Sequence, residues 1–544
     1  MKKILALLLA IVTMLSIFAC GETKSRRDDD NDDEIEELEE KNKELEEKLK
    51  ELEGKISGTT PSEAETTKAQ IAATAALPQT TLEIIPEEPD PFDTFGDISG
   101  DFNILVSGNY AACNDLDSSD YNDLYDPTVV DKAVYERNEL LKYTYGINVT
   151  VENVMKFGST TGSGIGFQKI SNAYVSGLTT YDAAAIGTYD VATLSYYGLL
   201  WDLNKVPYIN LSQSYWDQKA VEDLSVLGKL YFVSGDISMV NNDVTHAILF
   251  NKKIAADYKI EDPYKLVRNN QWTLEKFSEL VKKVGEDLDC NGIYDANDLY
   301  GLMTWKDPSL AVLASAEGRI ASVNHNGELE YTLLTPTVID LYDKYTDLTD
   351  DIAHVFNYQY DNVTGKQTPS SDWDKNRVAI FNGNRALFYM NTIATIKSHR
   401  ESELDFGVLP YPKYTEYQEK YCHSVSPYHS QFICVPVMTA DPARSGAVLE
   451  LLAKDGQRNL LPAYYDTILT GRYYRDSEIA EMLDIIFATR VFDIGAYYNV
   501  GDIKTEIGNM TVTKKTITDI DATYRLSAET TIEGLNQEFA RIEY

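Results

Sequence analysis

The sequence predicts an α/β fold, because short segments with the composition of strands alternate with longer amphipathic segments. Six short runs are rich in β-branched or aromatic residues and are predicted to be strands: FNILVS, YDAAAIG, HAILFN, RALFYM, LDFGVLP and SQFICVPV. Three longer segments carry apolar residues at three- and four-residue spacing and are predicted to be helices: DKAVYERNELLKYTYG, TLEKFSELVKKVGEDL and ARSGAVLELLAKDG. Alternation of this kind is typical of an α/β architecture.

The composition allows a large folded body and limits the partners that it can have. The chain has 544 residues, of which 43% are hydrophobic and 11% aromatic, and it is unusually rich in tyrosine, with 37. The formal net charge of -37 argues against nucleic acid and anionic membrane surfaces as partners, because both would repel the protein.

The N-terminus predicts export from the cell. Lys2 and Lys3 precede the apolar run ILALLLAIVTMLSIF, which is too short to span a bilayer comfortably but suits a signal peptide over residues 1–19. The run ends in IFAC, which resembles a bacterial lipobox, and that pattern makes Cys20 the lipidated first residue of the mature chain. We expect a protein anchored by its lipidated N-terminus, residues 20–27, outside the cytoplasmic membrane. The alternative is an ordinary signal peptide with a coincidental cysteine.

Residues 28–56 are predicted to form an acidic coiled-coil stalk. Apolar residues follow a heptad pattern from Ile35 onward, with Asn42 at one of the a positions. An Asn in an otherwise apolar seam favours a two-stranded coiled coil, and therefore a homodimer. Three heptads are marginal in water, so a single solvated helix is the alternative. Residues 57–98, rich in Thr, Ala, Pro and Glu, are predicted to be a disordered linker.

The segment DLDCNGIYDAND, residues 287–298, has the spacing of a calcium loop. Calcium takes six to eight oxygen ligands, and Gly292 permits the sharp turn that wraps them round one ion. Asp298 stands at the twelfth position, where calcium loops usually have a bidentate Glu. The alternative interpretation of the segment is a solvated acidic turn without a metal. We expect a structural Ca²⁺ whose ligands are the side chains of Asp287, Asp289, Asn291, Asp295 and Asp298 and the carbonyl oxygen of Ile293.

The sequence gives little support for catalysis. It contains neither the G-x-S-x-G nor the H-E-x-x-H motif, and the Gly-rich segment at residues 158–166 lacks the lysine of a phosphate loop. The six histidines are not at helical metal spacing. We therefore expect the protein not to be an enzyme.

Four cysteines remain after Cys20, at spacings that match no zinc pattern. Cys422 and Cys434 could form a disulfide across a hairpin in an exported protein. Buried free thiols are the alternative, and the sequence does not decide between them.

An ordered series of segments resembles the extracellular solute-binding proteins of ABC importers, in particular the carbohydrate-binding family 1. The resemblance covers residues 99–455 and lies in these segments, in the order of the family: TTYDAAAIGTYDVATLSYYGLLWDLNKVP, LSVLGKLYFVSGDIS, HAILFNKKIAADYKIEDP, NNQWTLEKFSELVKKV, VAIFNGNRALFYMNT and LDFGVLPYPKY. The resemblance rests on the order of these motifs along the chain as well as on each motif.

This resemblance implies a periplasmic-binding-protein-like type II fold, in which two α/β lobes joined by a hinge close on a ligand. It implies a first lobe of residues 99–235 with 390–455 and a second lobe of residues 243–388 with 456–544. The chain would cross between the lobes near Ser234–Asn242, Leu387–Thr392 and Asp455–Leu461.

A sugar presents hydroxyl edges and flat C–H faces, so its pocket needs polar side chains for the edges and aromatic rings for the faces. Positions that match the family, together with aromatic residues nearby, give the candidate ligand-binding residues Asp182, Tyr189, Trp216, Asp236, Asn242, Trp305, Tyr389, Asn391, Tyr428 and His429. The resemblance implies a non-catalytic protein that captures an oligosaccharide and delivers it to ABC permease subunits. A secreted carbohydrate-active enzyme or a calcium-dependent surface adhesin is the alternative.

Overall fold

The computed structural model describes residues 97–542, except 109–114, 125, 155–163, 362–363, 365, 400–401 and 470–476. The signal peptide, Cys20, the stalk and nearly all of the linker lie outside the described residues, so those predictions stay predictions. The strands are β1 Gly100–Val106, β2 Ile147–Asn153, β3 Ala183–Gly187, β4 His246–Asn251, β5 Gly285–Glu286, β6 Leu299–Thr304, β7 Ala321–Val323, β8 Leu329–Tyr331, β9 Val355–Asn357, β10 Ala386–Thr392, β11 Phe406–Leu409, β12 His423–Ser424, β13 Gln431–Cys434 and β14 Arg490–Val491.

The helices confirm the predicted alternation, since they separate most of these strands. They are α1 Val129–Tyr145, α2 Ile165–Ser176, α3 Thr188–Tyr196, α4 Gln218–Leu224, α5 Val240–Asp243, α6 Lys252–Asp257, α7 Pro263–Arg268, α8 Leu274–Val281, α9 Pro308–Ser315, α10 Pro336–Thr349, α11 Ser370–Asn382, α12 Ala394–His399, α13 Pro442–Asp455, α14 Leu461–Leu469, α15 Ser477–Ala488, α16 Ile494–Tyr497, α17 Ile503–Thr513 and α18 Ile517–Arg541.

The sheet of the first lobe has four strands in the order β13-β3-β1-β2. β1 is parallel to β2 and β3, whereas β13 is antiparallel to β3. Every residue of β3 is buried, as expected for a strand that is covered on both faces. Helix α1 begins at a capping box between Thr128 and Asp131 and ends at Gly146, whose φ of 68° is in the left-handed region.

The sheet of the second lobe has six strands, in the order β11-β4-β10-β6-β5 with β9 beside β6. β6, β9 and β10 are parallel, and β4 is antiparallel to both β10 and β11. The expected return to the first lobe at Leu387–Thr392 is therefore wrong. Helix α12 connects β10 to β11 within the same lobe, because β11 completes the hydrogen bonding of β4. The chain returns to the first sheet only between Leu409 and Gln431.

The hinge depends on a close approach between two crossing segments. A π-helical turn, Gly456–Leu460, joins α13 to α14. A Cβ atom at Gly456 would lie 2.0 Å from the carbonyl oxygen of Asp236, so this contact requires glycine. Helix α14 then packs between α1 and the core of the second lobe.

The C-terminal helix α18 contacts both lobes. The Nζ atom of Lys229, in a turn of the first lobe, donates to the carbonyl oxygens of Phe539 and Ile542. The side chain of Asn536 donates to the carbonyl oxygen of Leu329 (2.9 Å), in the β7–β8 hairpin of the second lobe. Although α18 has 25 residues, no helix in the described part of the chain is both long and apolar enough to cross a membrane.

Cys422 and Cys434 are buried free thiols, so the disulfide that the sequence left open does not form between them. Cys434 lies in β13 of the first sheet, whereas Cys422 packs with Ala314 and Val491 in a separate small cluster.

Candidate functional site

Residues from both sheets meet at the carboxyl ends of their parallel strands. Tyr189 follows β3 of the first sheet, whereas Trp305 and Asp307 follow β6 of the second. Burial, and after it the negative charge of Asp307, raise the pKa of Tyr189 and of Tyr428, so the three residues belong to one region. Ligands of open α/β sheets bind outside the carboxyl ends of the strands, so this region is the candidate site.

Two tyrosines and two lysines form the centre of the site. The ring centroids of Tyr189 and Tyr428 are 6.3 Å apart, and the ring planes are inclined by 45°. The Nζ atom of Lys504 lies 4.1 Å from the centroid of Tyr189, and that of Lys306 lies 5.7 Å from the centroid of Tyr428. Both distances are in the cation–π range. The hydroxyl of Tyr428 also donates to the carbonyl oxygen of Lys504 (3.4 Å), which ties α17 to the site.

Two buried polar atoms in the site have no hydrogen-bond partner in the described part of the chain. The Oδ1 atom of Asp307 and the indole Nε1 of Trp305 are both buried, and neither forms a hydrogen bond with any described residue. Burial raises the pKa of Asp307 to about 7, against a smaller opposite effect of Lys306. The Trp305 ring stacks on Tyr358, with the centroids 6.1 Å apart and the planes inclined by 27°. An acceptor and a donor that lack partners here are suited to the hydroxyl groups of a polar ligand.

Lys504 is a buried cation. Its side chain is 1% exposed, and its Nζ atom donates to the carbonyl oxygen of Ala496 (2.8 Å). Burial lowers the pKa of Lys504 to about 7, while the charges of Asp502 and Asp493 oppose this effect. The ammonium group is therefore stabilised mainly by a carbonyl oxygen and the faces of the tyrosine rings.

Four of the residues predicted from the sequence come together in this site: Tyr189, Trp305, Tyr428 and His429. His429 follows Tyr428 directly, and burial together with the charge of Lys306 lowers its pKa to about 4. Its imidazole is therefore neutral at physiological pH, and it adds a hydrogen-bonding group to the site without adding charge.

Asp182 lies at the opposite end of the first sheet, and its prediction as a cleft residue needs correction. It precedes β3, whereas Tyr189 follows the same strand. Its carboxylate accepts hydrogen bonds from the backbone N–H of Asn103 (2.8 Å) and from the guanidinium group of Arg444 (3.4 Å). Asp182 therefore joins β1 to α13.

Trp216 lies in the core of the first lobe and is not a stacking platform in this structure. Its side chain is 0% exposed, so protein atoms cover both faces of the ring. The indole N–H donates to the carboxylate of Glu450 (3.0 Å), which satisfies its one polar atom.

Asp236 and Asn242 lie at the hinge, as the resemblance implies, but their side chains bind protein groups. Asp236 accepts a hydrogen bond from the side chain of Gln457 (3.2 Å), and burial raises its pKa to about 6. Asn242 accepts a hydrogen bond from Arg490, which also forms an ion pair with Asp217 (2.7 Å). These contacts link the first lobe, the hinge and the C-terminal segment.

Tyr389 and Asn391 lie on β10, in the centre of the second sheet. Tyr389 is 0% exposed and packs its ring against Phe381 at 5.4 Å. The side-chain amide of Asn391 donates to the Tyr389 hydroxyl. Since the Tyr358 ring lies 6.3 Å from Tyr389 and also stacks on Trp305, these residues support the site from behind rather than line it.

The sequence analysis missed Lys306, Asp307 and Lys504. The first two could have been found, because they follow directly after the apolar run LYGLMT and next to Trp305. Lys504 has no comparable signal in the sequence. It lies near the start of α17, about two hundred residues after β6, and tertiary packing alone brings it to the site.

The predicted calcium loop brings three carboxylates together. Ligand atoms of Asp287, Asp289 and Asp298 all lie within 4.8 Å of one another, and Asp295 is not part of this group. Asp287 accepts a hydrogen bond from the N–H of Gly292 (2.7 Å), whose φ is +78°. The remaining predicted ligands, Asn291 and Ile293, lie in the turn itself, where the side-chain oxygen of Asn291 accepts from the N–H of Ile293 (2.6 Å).

The residues of the loop fit a hard cation. Asp298 is buried and accepts hydrogen bonds from the N–H groups of Leu288 and Asp295, both at 2.9 Å, so its carboxylate is fixed in the loop interior. Carboxylates so close together repel one another unless a cation or a proton lies between them.

Comparison with solved structures identifies the fold. The chain is similar to the maltose/maltodextrin-binding domain MalE of Bdellovibrio bacteriovorus, whose structure contains bound maltotriose. The match covers 80% of this chain and 100% of that one, at 15% identity and a TM-score of 0.50. The chain has a solute-binding-protein fold. A cyclo/maltodextrin-binding protein complexed with maltotetraose has 12% identity and a TM-score of 0.51, with coverage of 81% of this chain and 98% of that one.

A third solved structure with the solute-binding-protein fold is the cyclic alpha-maltosyl-1,6-maltose binding protein of Arthrobacter globiformis. It has 13% identity and a TM-score of 0.50, and the match covers 81% of this chain and 100% of that one. No family model matches the sequence, and no curated protein sequence matches it. The expected periplasmic-binding-protein-like architecture of two α/β lobes is thus confirmed by structure alone.

Proposed function

We propose that the protein is a non-catalytic extracellular solute-binding protein that captures an oligosaccharide and delivers it to the permease subunits of an ABC importer. The observation that carries the proposal is the gathering of Tyr189, Tyr428 and Trp305 with unpartnered polar atoms between the two sheets. Aromatic faces and hydrogen-bonding groups in one place suit the faces and hydroxyl edges of sugar rings.

The similar structures support a carbohydrate as the ligand, since two of them are bound to maltotriose and maltotetraose and the third is a cyclic alpha-maltosyl-1,6-maltose binding protein. Binding would work through closure of the hinge, because groups from the first sheet (Tyr189) and the second sheet (Trp305, Asp307) contact a ligand together only when the lobes are close.

The surroundings of Asp307 support binding rather than catalysis. Glycosidases use two carboxyl groups on opposite sides of the bond that is cleaved. Among the described residues, Lys306 is the charged group that acts on the pKa of Asp307, and no second carboxylate contributes to it. Asp307 thus lies among aromatic rings and beside a lysine, without a second carboxylate from the described residues that acts on it.

The N-terminal predictions extend this proposal to the cell surface. Cys20 would carry the lipid that holds the protein at the outer face of the bacterial membrane, and residues 28–56 would space the body from that surface as a coiled-coil dimer or a single helix. The acidic chain would remain free of nucleic acid and would contact the membrane through the lipid alone.

The loop at residues 287–298 would hold a structural Ca²⁺ in the second lobe. The grouping of Asp287, Asp289 and Asp298 supports this proposal, since calcium would remove the repulsion between their carboxylates. The ion would steady the connection between α8 and β6, so its effect would be on stability rather than on the ligand.

A thermal-shift screen of the protein against oligosaccharides, peptides and amino acids tests the proposed function. A ligand at one hundred times its Kd stabilises the folded state by about 2.7 kcal/mol, which gives a clear rise in melting temperature. We expect that rise with one class of oligosaccharide. A rise with peptides or amino acids and with none of the sugars would overturn the assignment.

A further inference from the structure

A groove lies between α3 and α18 and contains Tyr189 in its wall. Its volume is about 610 Å³, which is in the range of ligand sites in proteins. Tyr189 also contacts Lys504 and faces Tyr428, so the groove adjoins the candidate site at Tyr189. The C-terminal helix α18 supplies its far wall through Thr530, Thr531 and Gly534.

The groove repeats the chemistry of the candidate site. Tyr196, Tyr197 and Tyr498 line it, and Tyr197 is 60% exposed, so one aromatic ring is open to solvent. The rings of Tyr196 and Tyr197 meet edge to face at 5.4 Å. The hydroxyl of Tyr498 forms a hydrogen bond with the Ser195 side chain (2.8 Å), which fixes its orientation. These rings provide further faces for sugar units.

A strained turn brings polar side chains to the same groove. Asn499, Gly501 and Asp502 all have positive φ, at 50°, 60° and 59°. The side-chain amide of Asn499 donates to the carboxylate of Asp502, while its Oδ1 atom is buried and accepts no hydrogen bond from the described part of the chain. Two non-glycine positions of this kind in one turn cost free energy, and such strain is concentrated at ligand sites.

Gly534 lines the groove. It lies inside the 25-residue helix α18, where glycine is about 1 kcal/mol less favourable than alanine. A Cβ atom at Gly534 would meet no heavy atom within 4 Å, and the residue has no positive φ that would require glycine. Gly501, by contrast, has both a positive φ and a contact with Ala528 at 2.9 Å. Sterics and backbone geometry thus explain why residue 501 is glycine but not why residue 534 is. A glycine at residue 534 does leave space in the groove.

We propose that this groove holds the outer units of a multi-unit oligosaccharide whose inner unit lies at Tyr189 and Trp305, and that Gly534 sets the length of chain accepted. This inference rests on the proposed function and adds the size class of the ligand to it. The outer units lie against Tyr197 and Tyr498, and their hydroxyl groups reach Asn499 and Asp502. The C-terminal helix is thereby part of the binding surface as well as of the fold.

Isothermal titration with length series of α-1,4-, β-1,4- and β-1,3-linked gluco-oligosaccharides of two to seven units tests the inference. The wild-type protein, Gly534→Leu and Gly534→Ala are compared, and the melting temperature of each free protein is measured. Gly534→Leu fills the groove, whereas Gly534→Ala leaves most of it open. Both substitutions should raise the melting temperature of the free protein, because both favour the helix.

In the wild type we expect affinity to rise with length by about tenfold or more between two and five units. Gly534→Leu should remove that gain and leave the affinity for the shortest ligand unchanged, while Gly534→Ala behaves like the wild type. Equal affinity at all lengths, or an equal loss at all lengths in Gly534→Leu, overturns the inference but leaves the proposed function standing. Binding of no member of the series counts against both.

Discussion

The Nζ atom of Lys504 lies 4.1 Å from the centre of the Tyr189 ring. The two residues belong to different parts of the chain, since Tyr189 follows a strand of the first sheet and Lys504 lies in α17 near the C-terminus. Their contact joins the C-terminal helices to the region where the two sheets meet. The contact also covers one face of the Tyr189 ring with the ammonium group of Lys504, whose charged form is destabilised by burial.

Replacing Lys504 with Met should change the pH dependence of stability. The pKa of Lys504 is lowered to about 7 in the folded protein, from a usual value of 10.5. The unfolded chain therefore binds the extra proton between pH 7 and 10.5, so the wild type gains stability as the pH rises through this window. The slope from this group is about 1.4 kcal/mol per pH unit.

Chemical denaturation of Lys504→Met at pH 7 and pH 9.5 measures this effect. The variant should gain less stability than the wild type between the two values. Lys253→Met is the control, because Lys253 is an exposed partner of Asp257 on the surface. Equal pH dependence in Lys504→Met and the wild type would mean that the lysine is not destabilised by its site.

Replacing Asp307 with Asn should also change the pH dependence of stability, because Asp307 makes the wild type less stable as the pH rises. Burial raises the pKa of Asp307 to about 7 from 3.8, so the folded protein binds a proton that the unfolded chain has released between those values. The wild type then loses stability as the pH rises from about 4 to 7, by roughly 4 kcal/mol at most. Asp307→Asn should be more stable than the wild type at pH 8 and should lose this advantage at pH 4.

Urea titrations of Asp307→Asn at the two pH values check the prediction, with Asp257→Asn as an exposed control. The account would be contradicted if the variant were less stable than the wild type at pH 8, since that would mean the carboxylate is well solvated or paired.

Calcium should raise the melting temperature of the protein, and EDTA should lower it. The ion would relieve repulsion among Asp287, Asp289 and Asp298. For a folded body of roughly 450 residues each kcal/mol corresponds to about 1 °C. Asp289→Asn should lose most of the response, whereas Cys290→Ser should keep it, because Cys290 is an exposed neighbour in the same loop and no predicted ligand. The same melting temperature in calcium and in EDTA for the wild type would exclude a bound ion that stabilises the fold.

The sequence was sufficient for most of the fold but for only part of the site. The six predicted strands all form, because short apolar runs with β-branched residues are explicit in the sequence. The position of β11 could not be predicted, because its pairing with β4 depends on a return within the lobe that no local pattern encodes. Tyr189 was found because it follows the predicted strand YDAAAIG at a position that matches the family, whereas Trp305 was found as an aromatic residue suited to a sugar face. Trp216 was misassigned since the sequence cannot show that Glu450 lies beside its indole group.

Isothermal titration of an oligosaccharide into the wild type, Tyr189→Ala and Tyr417→Ala tests the central claim most directly. Tyr417 is 95% exposed and lies outside the candidate site, so its substitution controls for the loss of a tyrosine. The account predicts that the wild type and Tyr417→Ala bind the sugar equally and that Tyr189→Ala binds it at least about tenfold more weakly. Unchanged affinity in a folded Tyr189→Ala protein would contradict a carbohydrate site between the two sheets.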